Sequence, residues 1–493
     1  MRNRLLLAAA AAAMVASQAH AIDFVNAITV AGNGTDKSAY GADFAGNRLG
    51  GFGSDLVYDK ATNLYYGLTD RGPGGGTIDY APRIQAFKLG TDGTTGAIGN
   101  FKLVDTIVFS QGGAAFSGLN PAADGRPSSD LGRSFDPEGL AISKNGTFLV
   151  SDEYGPSVYE FSLTGSLIRK FKTPENLVPK AGTTENYVDG RPVITAGRQD
   201  NRGFEGLTIS ADGTKAYAIL QDPLVNEGAQ NDGRRSRNVR LVEFDMATGE
   251  ASKQVIYRLE NIDDINGRIP GTANDFTATN QGRSIGVSSI MALPNGQLLV
   301  IERDNRGFGV DDPNALNPIG SKRIYLVDIS QASDVSTVDL AGANGLPAGI
   351  KAASKTLFLD VNAALKAAGI PVAEKLEGFS FGRWLADGSL QLTIISDNDY
   401  SVTQNGSNVQ FNVCTSGPGG SSGGIQIPLD GTCPDGTSLI PSYLYSFKLS
   451  AAEAATLGLA RPVPEPATWA MMIAGFGLVG GALRRRKPAA LAI

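Results

Sequence analysis

Acidic residues recur at matching places in a repeated pattern along the chain. Three glutamates each precede a glycine and an apolar residue: Glu138, Glu205 and Glu377. Beyond an Asn-Gly or Asp-Gly turn, each is followed by an aspartate: Asp152, Asp222 and Asp397. Such a turn predicts an antiparallel hairpin, in which the start of the first strand lies beside the end of the second. We therefore expect each glutamate to face its aspartate.

Five units share this pattern, beginning near Ser54, Asp136, Gly203, Ser288 and Leu376. Each unit continues into further short apolar strands, and convincing helices are confined to turns around 360–368 and 451–457. A repeated four-stranded unit predicts an all-β fold, a β-propeller forming one domain over residues 22–460. The unit spacing exceeds the roughly 40–50 residues of a usual blade. We therefore predict six blades with long loop insertions.

In a propeller, equivalent strand ends of all blades meet at one mouth of the central channel. This mouth is predicted to be lined by Asp70, Glu138, Asp152, Glu153, Glu205, Asp222, Glu302, Glu377, Asp397 and Asp399. Crowded carboxylates raise one another's pKa or require a cation, and calcium takes six to eight oxygen ligands without histidine. The candidate calcium ligands are Glu138, Asp152, Glu205, Glu377 and Asp397. A ring of turn-forming residues and salt bridges would use the same residue types.

Three arginines, Arg71, Arg202 and Arg303, each neighbour an acid of the pattern. Guanidinium groups bind the oxygens of anionic esters, and a metal ion would polarise the same oxygens and activate a water molecule for attack. These arginines are therefore candidates for stabilising developing negative charge. Glu153 is the candidate general base or acid, because neighbouring carboxylates would raise its pKa.

The chain contains one histidine, His20, at its N-terminal end. The absence of histidine from the remaining sequence excludes Ser-His-Asp hydrolases and metal sites built on imidazole. The only two cysteines, Cys414 and Cys433, flank a stretch rich in glycine and serine. In an exported chain this spacing predicts a disulfide across a long loop.

Both ends of the chain have the composition of targeting segments. Residues 1–21 carry two arginines, an apolar run and the triplet Ala19-His20-Ala21, which predicts a secretory signal peptide. Residues 464–487 contain Pro464-Glu465-Pro466, an apolar segment and a basic cluster, and they resemble a PEP-CTERM sorting signal. That resemblance implies a Gram-negative bacterium, a short transmembrane helix at 469–483 and removal of the tail by an exosortase, leaving the body at the cell surface or outside.

The charge of the chain limits its partners. The formal net charge is −6, and loss of the six basic residues at the two ends would make it −12. So acidic a body argues against binding nucleic acid or anionic membranes.

Three segments resemble the phytase-like esterase family of β-propellers: Asp136-Pro137-Glu138-Gly139-Leu140, Ser151-Asp152-Glu153-Tyr154-Gly155 and Gly203-Phe204-Glu205-Gly206-Leu207. The resemblance covers about residues 45–450 and implies a calcium-dependent hydrolase of small anionic phosphate esters or other esters. Ser288 interrupts the glutamate series, so equivalent sites in every blade are not implied. Two alternatives remain: a calcium propeller that opens lactones, and a non-catalytic propeller that binds extracellular matrix or exopolysaccharide.

Overall fold

The computed structural model of the protein describes residues 22–40, 46–404 and 409–461. The chain divides into two compact units, 1–458 and 459–493, and the elements below belong to the first. The predicted signal peptide and sorting segment lie outside the described residues. Within the described stretches, no helix has the length and apolar character needed to cross a membrane.

Five four-stranded antiparallel sheets make up the body, and the innermost strands of successive sheets contact one another in a closed ring. From the innermost strand outward, blade 1 has Asp55–Asp59, Leu64–Leu68, Arg83–Thr91 and Ile98–Val108, and blade 2 has Pro137–Ile142, Thr147–Asp152, Ser157–Ser162 and Leu167–Lys170. Blade 3 has Phe204–Ile209, Lys215–Leu220, Asn238–Asp245 and Ala251–Arg258, and blade 4 has Ile285–Ala292, Leu298–Asp304, Lys322–Asp328 and Ser354–Asp360. Blade 5 has Lys375–Trp384, Leu390–Asp397, Ser442–Leu449 and Ile22–Val30.

The β-propeller predicted from the repeats is confirmed, but the described residues form five blades rather than six. Each of the five sequence units corresponds to one blade. The surplus length lies in loops, in short two-stranded pairs and in an inserted sheet between the second and third strands of blade 5. This insert contains Val402–Gln404, Gln410–Thr415, Ile425–Ile427 and Ser438–Leu439. Loop insertions of this kind cost little conformational free energy, so unit length overestimated the blade count.

The ring is closed by strands from opposite ends of the described chain. Ile22–Val30 pairs antiparallel with Ser442–Leu449 as the outermost strand of blade 5. Ile22 lies opposite Leu449, and Val30 lies opposite Ser442. Since a closed ring requires this pairing, the first and last strands hold the blades together.

The turns that separate the first two strands of the blades have the predicted chemistry. Gly146, Gly213, Gly296 and Gly388 adopt φ values of 73°, 80°, 85° and 86°. Glycine reaches this left-handed region without the penalty that a Cβ atom imposes. The Asn-Gly and Asp-Gly pairs therefore fix the hairpins and, with them, the strand ends at the mouth.

Apolar side chains fill the spaces between neighbouring blades. One core cluster joins blades 2, 3 and 4, a second joins blades 1 and 2, and a third joins blades 5 and 1. In the described part of the chain, four short α-helices accompany the sheets: α1 (Ile262–Asn266), α2 (Gln281–Ser284), α3 (Val361–Ala367) and α4 (Ala451–Thr456). The last two confirm the helical turns expected from the sequence.

The glycine of the repeated Glu-Gly pattern permits close contact inside the ring. A Cβ atom on Gly139 would lie 2.5 Å from the Leu207 nitrogen, and one on Gly206 would lie 2.4 Å from Ile290 Cγ2.

Asp55 occupies in blade 1 the position that this glycine occupies in blades 2 and 3. Its carboxyl accepts hydrogen bonds from the Leu140 N–H at 2.8 Å and from Ser289 Oγ at 2.9 Å. Asp55 therefore joins blades 1, 2 and 4.

Candidate active site

One cavity of about 370 Å³ lies where the strand ends of the blades meet. Its size falls within the range of small-molecule sites. The charged side chains that line it are Asp70, Arg71, Glu138, Glu153, Arg202, Glu205, Arg303, Asp311, Glu374, Lys375, Glu377, Asp397 and Asp399. The structure thus brings together all three predicted arginines and most of the predicted acids.

The three glutamates of the repeat lie at irregularities in the innermost strands. The pairing register shifts between Pro137 and Leu140, between Phe204 and Gly206, and between Leu376 and Gly378. Bulges of this kind are frequent near active sites because they redirect a side chain. Glu138, Glu205 and Glu377 accordingly line the cavity.

Because of these bulges, the cross-strand partners differ from those predicted for ideal hairpins, and the predicted pairing of each glutamate with its aspartate is wrong. Asp152 lies opposite Pro137 instead of Glu138, and Asp397 lies opposite Lys375 instead of Glu377. Glu205 does not pair with Asp222, since its neighbour Phe204 already lies opposite Leu220 at the strand end.

Three of the expected mouth residues, Asp152, Asp222 and Glu302, do not line the cavity. Asp222 is buried behind Arg202 and pairs with it. Asp152 is buried, and its carboxyl accepts hydrogen bonds from the backbone N–H groups of Asp136, Tyr154 and Gly155 at 3.0 to 3.2 Å. It shapes the turn that carries Glu153. Glu302 binds Lys355, the Tyr257 hydroxyl and the Glu260 N–H between blades 3 and 4.

Each cavity arginine is paired with a carboxylate. Arg71 Nη1 lies 3.2 Å from Asp136 Oδ2, Arg202 Nε lies 2.8 Å from Asp222 Oδ2, and Arg303 Nη2 pairs with Glu377 Oε1. Asn201 accepts further hydrogen bonds, through its side chain from Arg71 and through its backbone carbonyl from Arg202. Guanidinium groups held in this way are oriented before an anion arrives, which reduces the ordering cost of binding.

Asp70 belongs to two groups of three carboxylates. It forms one group with Asp136 and Glu138 of blade 2 and another with Asp397 and Asp399 of blade 5. Within each group, one oxygen from every residue lies within 4.8 Å of the others. Blade 1, which carries Asp70, stands between those two blades, because its innermost strand contacts both of theirs.

Burial and like charge raise the pKa of most of these carboxyls. The pKa values of Asp70, Glu138 and Glu205 rise well above their ordinary range, with burial as the largest cause and neighbouring carboxylates as the next. Burial and Asp136 together raise the pKa of Glu153 to about 7. The cluster therefore favours either protons or a cation.

The ligand atoms that the cluster offers are carboxylate oxygens, which are the type of ligand that calcium prefers. Asp136 Oδ2 has the ion pair with Arg71, whereas Glu153 Oε2 is buried and makes no hydrogen bond within the described part of the chain. A carboxylate oxygen left in this state is costly unless a cation or proton compensates it. Since the cluster offers oxygen ligands and no imidazole or thiol, it suits a hard cation such as calcium.

Several site residues escaped the sequence prediction: Asp136 of the carboxylate group with Asp70 and Glu138, and Asn201, Asp311, Glu374 and Lys375 of the cavity lining. Lys375 precedes Glu377 by two positions, just as Asp136 precedes Glu138. Alignment of the repeats at this position would have indicated both residues. Asp311 and Asn201 lie in loops outside the repeated pattern, so no periodic signal marks them.

An uncharged wall completes the cavity. The inserted sheet contributes four residues to the lining: Val402, Thr403, Gln404 and Gln410.

The predicted Cys414–Cys433 disulfide is present in the insert, with Cα atoms 5.7 Å apart. Among the described residues, the apolar cluster at the insert contains three buried residues, Tyr80, Tyr400 and Val402. The disulfide therefore compensates for a core too small to hold the insert by itself.

Comparison with known proteins gives two family matches. The phytase-like family, described as "Esterase-like activity of phytase", matches residues 47–400. The PEP-CTERM protein-sorting motif matches residues 462–487, which confirms the predicted sorting signal.

Individual relatives are more distant. An "Uncharacterized secreted protein" of Arthroderma benhamiae is 29% identical over 396 residues, covering 68% of this chain and 74% of that protein. Virginiamycin B lyase from Staphylococcus aureus aligns at 8% identity and a TM-score of 0.27, covering 80% of each chain. Hydrazine synthase of Kuenenia stuttgartiensis aligns at 11% identity and a TM-score of 0.27, covering 71% of this chain and 78% of that one.

Proposed function

The chain belongs to the phytase-like family, and we propose that it is an exported hydrolase that cleaves phosphate esters at the mouth of the propeller. The observation that carries this proposal is the placement of three guanidinium groups around one acidic cavity. Each guanidinium is oriented by a carboxylate behind it. Planar groups of this kind recognise the oxygens of a phosphoryl group and stabilise the charge that develops on them.

Arg71, Arg202 and Arg303 bind and orient the phosphoryl oxygens in this proposal. Their partner carboxylates keep the planes of the guanidinium groups fixed, so binding costs little side-chain entropy. When the acids of the cavity are protonated, the positive charges of these arginines repel one another. Binding of a dianionic ester would reduce this repulsion.

Glu153 acts as the general base or general acid in this proposal. Its carboxyl lines the cavity, and burial together with Asp136 raises its pKa to about 7. A carboxyl in this range takes a proton from an attacking water or gives one to a leaving alcohol near neutral pH. Arg71 and Arg202 both oppose the rise of this pKa, so substrate binding to these arginines would change the proton affinity of Glu153.

Asp70, Asp136 and Glu138 would hold a calcium ion, with Glu205, Glu377 and Asp397 nearby. When bound, calcium supplies charge neutralisation and Lewis acidity at phosphoryl oxygens. Asp152 is not part of this proposal, because backbone N–H groups already occupy its oxygens.

The sorting motif supports export and processing by an exosortase. We propose that the tail anchors the protein transiently before it is removed. Pulse labelling followed by mass spectrometry of the C-terminus would detect the shortened chain, and a chain that keeps residues 462–487 at steady state would refute removal.

The proposal is tested with a panel of phosphate esters, carboxyl esters and lactones, assayed before and after chelation of calcium. We expect turnover of phosphate esters that chelation abolishes, and at least a tenfold loss in Arg202→Met. Arg169→Met is the matched control, because Arg169 pairs with Glu160 at 2.6 Å on the outer strands of blade 2, away from the cavity. Turnover confined to lactones would replace this function with a lactonase activity. The absence of all turnover would favour a binding propeller.

A further inference from the structure

The two carboxylate groups that share Asp70 differ in their neighbouring positive charge. On the blade 5 side, Lys375 Nζ lies 2.5 Å from Asp399 Oδ1 and 4.0 Å from Asp397 Oδ2. One ammonium group therefore contacts both carboxylates that accompany Asp70 there. On the blade 2 side, within the described residues, Arg71 forms an ion pair with Asp136 but with neither Asp70 nor Glu138.

Glu138 has no basic partner of its own. In the described part of the chain it makes no ion pair, and the four charged groups that act on it most strongly are Glu205, Asp136, Glu153 and Glu377. Glu153 Oε2, which lines the same cavity, is also buried without a hydrogen bond. Among the described residues, the blade 2 side thus keeps the negative charge of Glu138 without a basic side chain paired to it.

Repeat position relates the two sides directly. Lys375 occupies the place in blade 5 that Asp136 occupies in blade 2, two residues before the bulge glutamate. The same backbone position therefore supplies a ligand on one side of Asp70 and a positive charge on the other. A lysine ammonium and a bound cation both neutralise carboxylates, but the ammonium is covalently attached and cannot dissociate.

We propose that Lys375 takes the place of a second metal ion, so that the site binds a single calcium ion, held by Asp70, Asp136 and Glu138. This inference rests on the calcium site of the proposed function and adds the number and position of the ions. With Lys375 in place, one positive charge stays beside the carboxylates of blade 5 when calcium is scarce. Calcium binding at the mouth therefore follows a single-site curve.

The test is the calcium stoichiometry of the purified protein, measured by isothermal titration and by metal analysis after gel filtration. We expect Glu138→Gln to bind one ion fewer than the wild type and Lys375→Met to bind one ion more. The extra ion would share Asp70 with the first, so the two sites would interact in the titration. Lys448→Met is the matched control, because Lys448 pairs with Asp387 at 3.2 Å and has a similar exposure of 28%, against 27% for Lys375.

Removal of Lys375 leaves uncompensated carboxylates, which destabilise the folded protein. Lys375→Gln provides a second variant that keeps hydrogen-bonding capacity. Thermal unfolding with and without calcium gives a readout independent of turnover: calcium should stabilise the Lys375 variants more than the wild type or Lys448→Met. Equal stabilisation, or no added ion in either Lys375 variant, would overturn the inference. Two ions at the mouth of the wild type would overturn it while leaving the proposed function intact, whereas no ion in the wild type would remove the calcium site itself.

Discussion

Ser288 Oγ accepts a hydrogen bond of 2.8 Å from Arg303 Nε in blade 4. Blades 2, 3 and 5 carry a glutamate at the position of Ser288. A small hydroxyl here leaves room for the guanidinium, which then reaches Glu377 of blade 5 and Asn305. The break in the glutamate series is therefore the feature that places Arg303 in the cavity.

Restoring the series should weaken substrate binding. In Ser288→Glu, the introduced carboxylate would compete with the substrate for Arg303, and we expect KM for the best phosphate ester to rise about tenfold, equivalent to about 1.4 kcal/mol. Steady-state kinetics check this expectation. Ser330→Glu, at an exposed serine in the loop that follows the third strand of blade 4, adds the same charge away from the cavity and should leave KM unchanged. Equal KM values in the two variants would contradict the role of Arg303.

The pH dependence of turnover should report Glu153. Without calcium its pKa is about 7, and a calcium ion at Asp136 would lower it, so the profile of kcat/KM should show an ionisation at or below neutrality. Glu153→Gln should lower kcat/KM at least a hundredfold and remove that ionisation. Glu160→Gln serves as the control, since Glu160 lies on the third strand of blade 2 and pairs with Arg169. A profile that keeps this ionisation in Glu153→Gln would assign the titration to another group.

Much of this arrangement follows from the sequence, and the departures have identifiable causes. The Asn-Gly and Asp-Gly turns predicted the hairpins, and the Glu-Gly pairs predicted acids at the mouth. The pairing register within each hairpin was not predictable, because no particular residue type marks the extra residue of a bulge. In blade 2 this extra residue changes the partner of Asp152. The place of Asp70 beside Asp397 and Asp399 was not predictable either, because blades 1 and 5 are adjacent only after the ring has closed.

Asp55 should make stability depend on pH. Burial raises its pKa to about 8, although the N–H groups of Leu140 and Leu56 and the Ser289 hydroxyl favour the charged form. Because the folded-state pKa is above the unfolded value, the stability contributed by Asp55 is complete below about pH 4 and is lost as pH rises through about 8. A rise from 3.8 to about 8 corresponds to at most about 6 kcal/mol.

Urea unfolding from pH 5 to pH 9, with chelator present, measures this effect. Asp55→Asn should be less stable than the wild type at pH 5, by about 1–3 kcal/mol for the lost hydrogen bonds, and should lose less stability toward pH 9. Asp387→Asn is the control, because hydrogen bonds from Ser389 lower the pKa of this exposed turn residue to about 2, outside the range tested. An unchanged slope in Asp55→Asn would show that other acids dominate.

The disulfide should control the order of the cavity wall. In a chain carrying Cys414→Ser and Cys433→Ser, we expect the insert to open locally, since a cross-link across 19 positions contributes about 3 kcal/mol. Subtilisin is the suitable protease, because residues 409–439 contain no lysine or arginine for trypsin. Cleavage should appear in this range within a body that otherwise resists digestion. Identical digestion of oxidised and substituted protein would show that the small core suffices.

The pairing that closes the ring also places the start of the first strand and the end of the last strand away from the cavity. Ile22 and Leu449 are partners in blade 5, and Leu449 lies beside Leu390, at the strand ends opposite Lys375 and Asp397. The first and last strands of the propeller therefore meet the flanking chain on the face away from the mouth. A tag or carrier joined at these strand ends would therefore start on the side of blade 5 that lies away from Lys375 and Asp397.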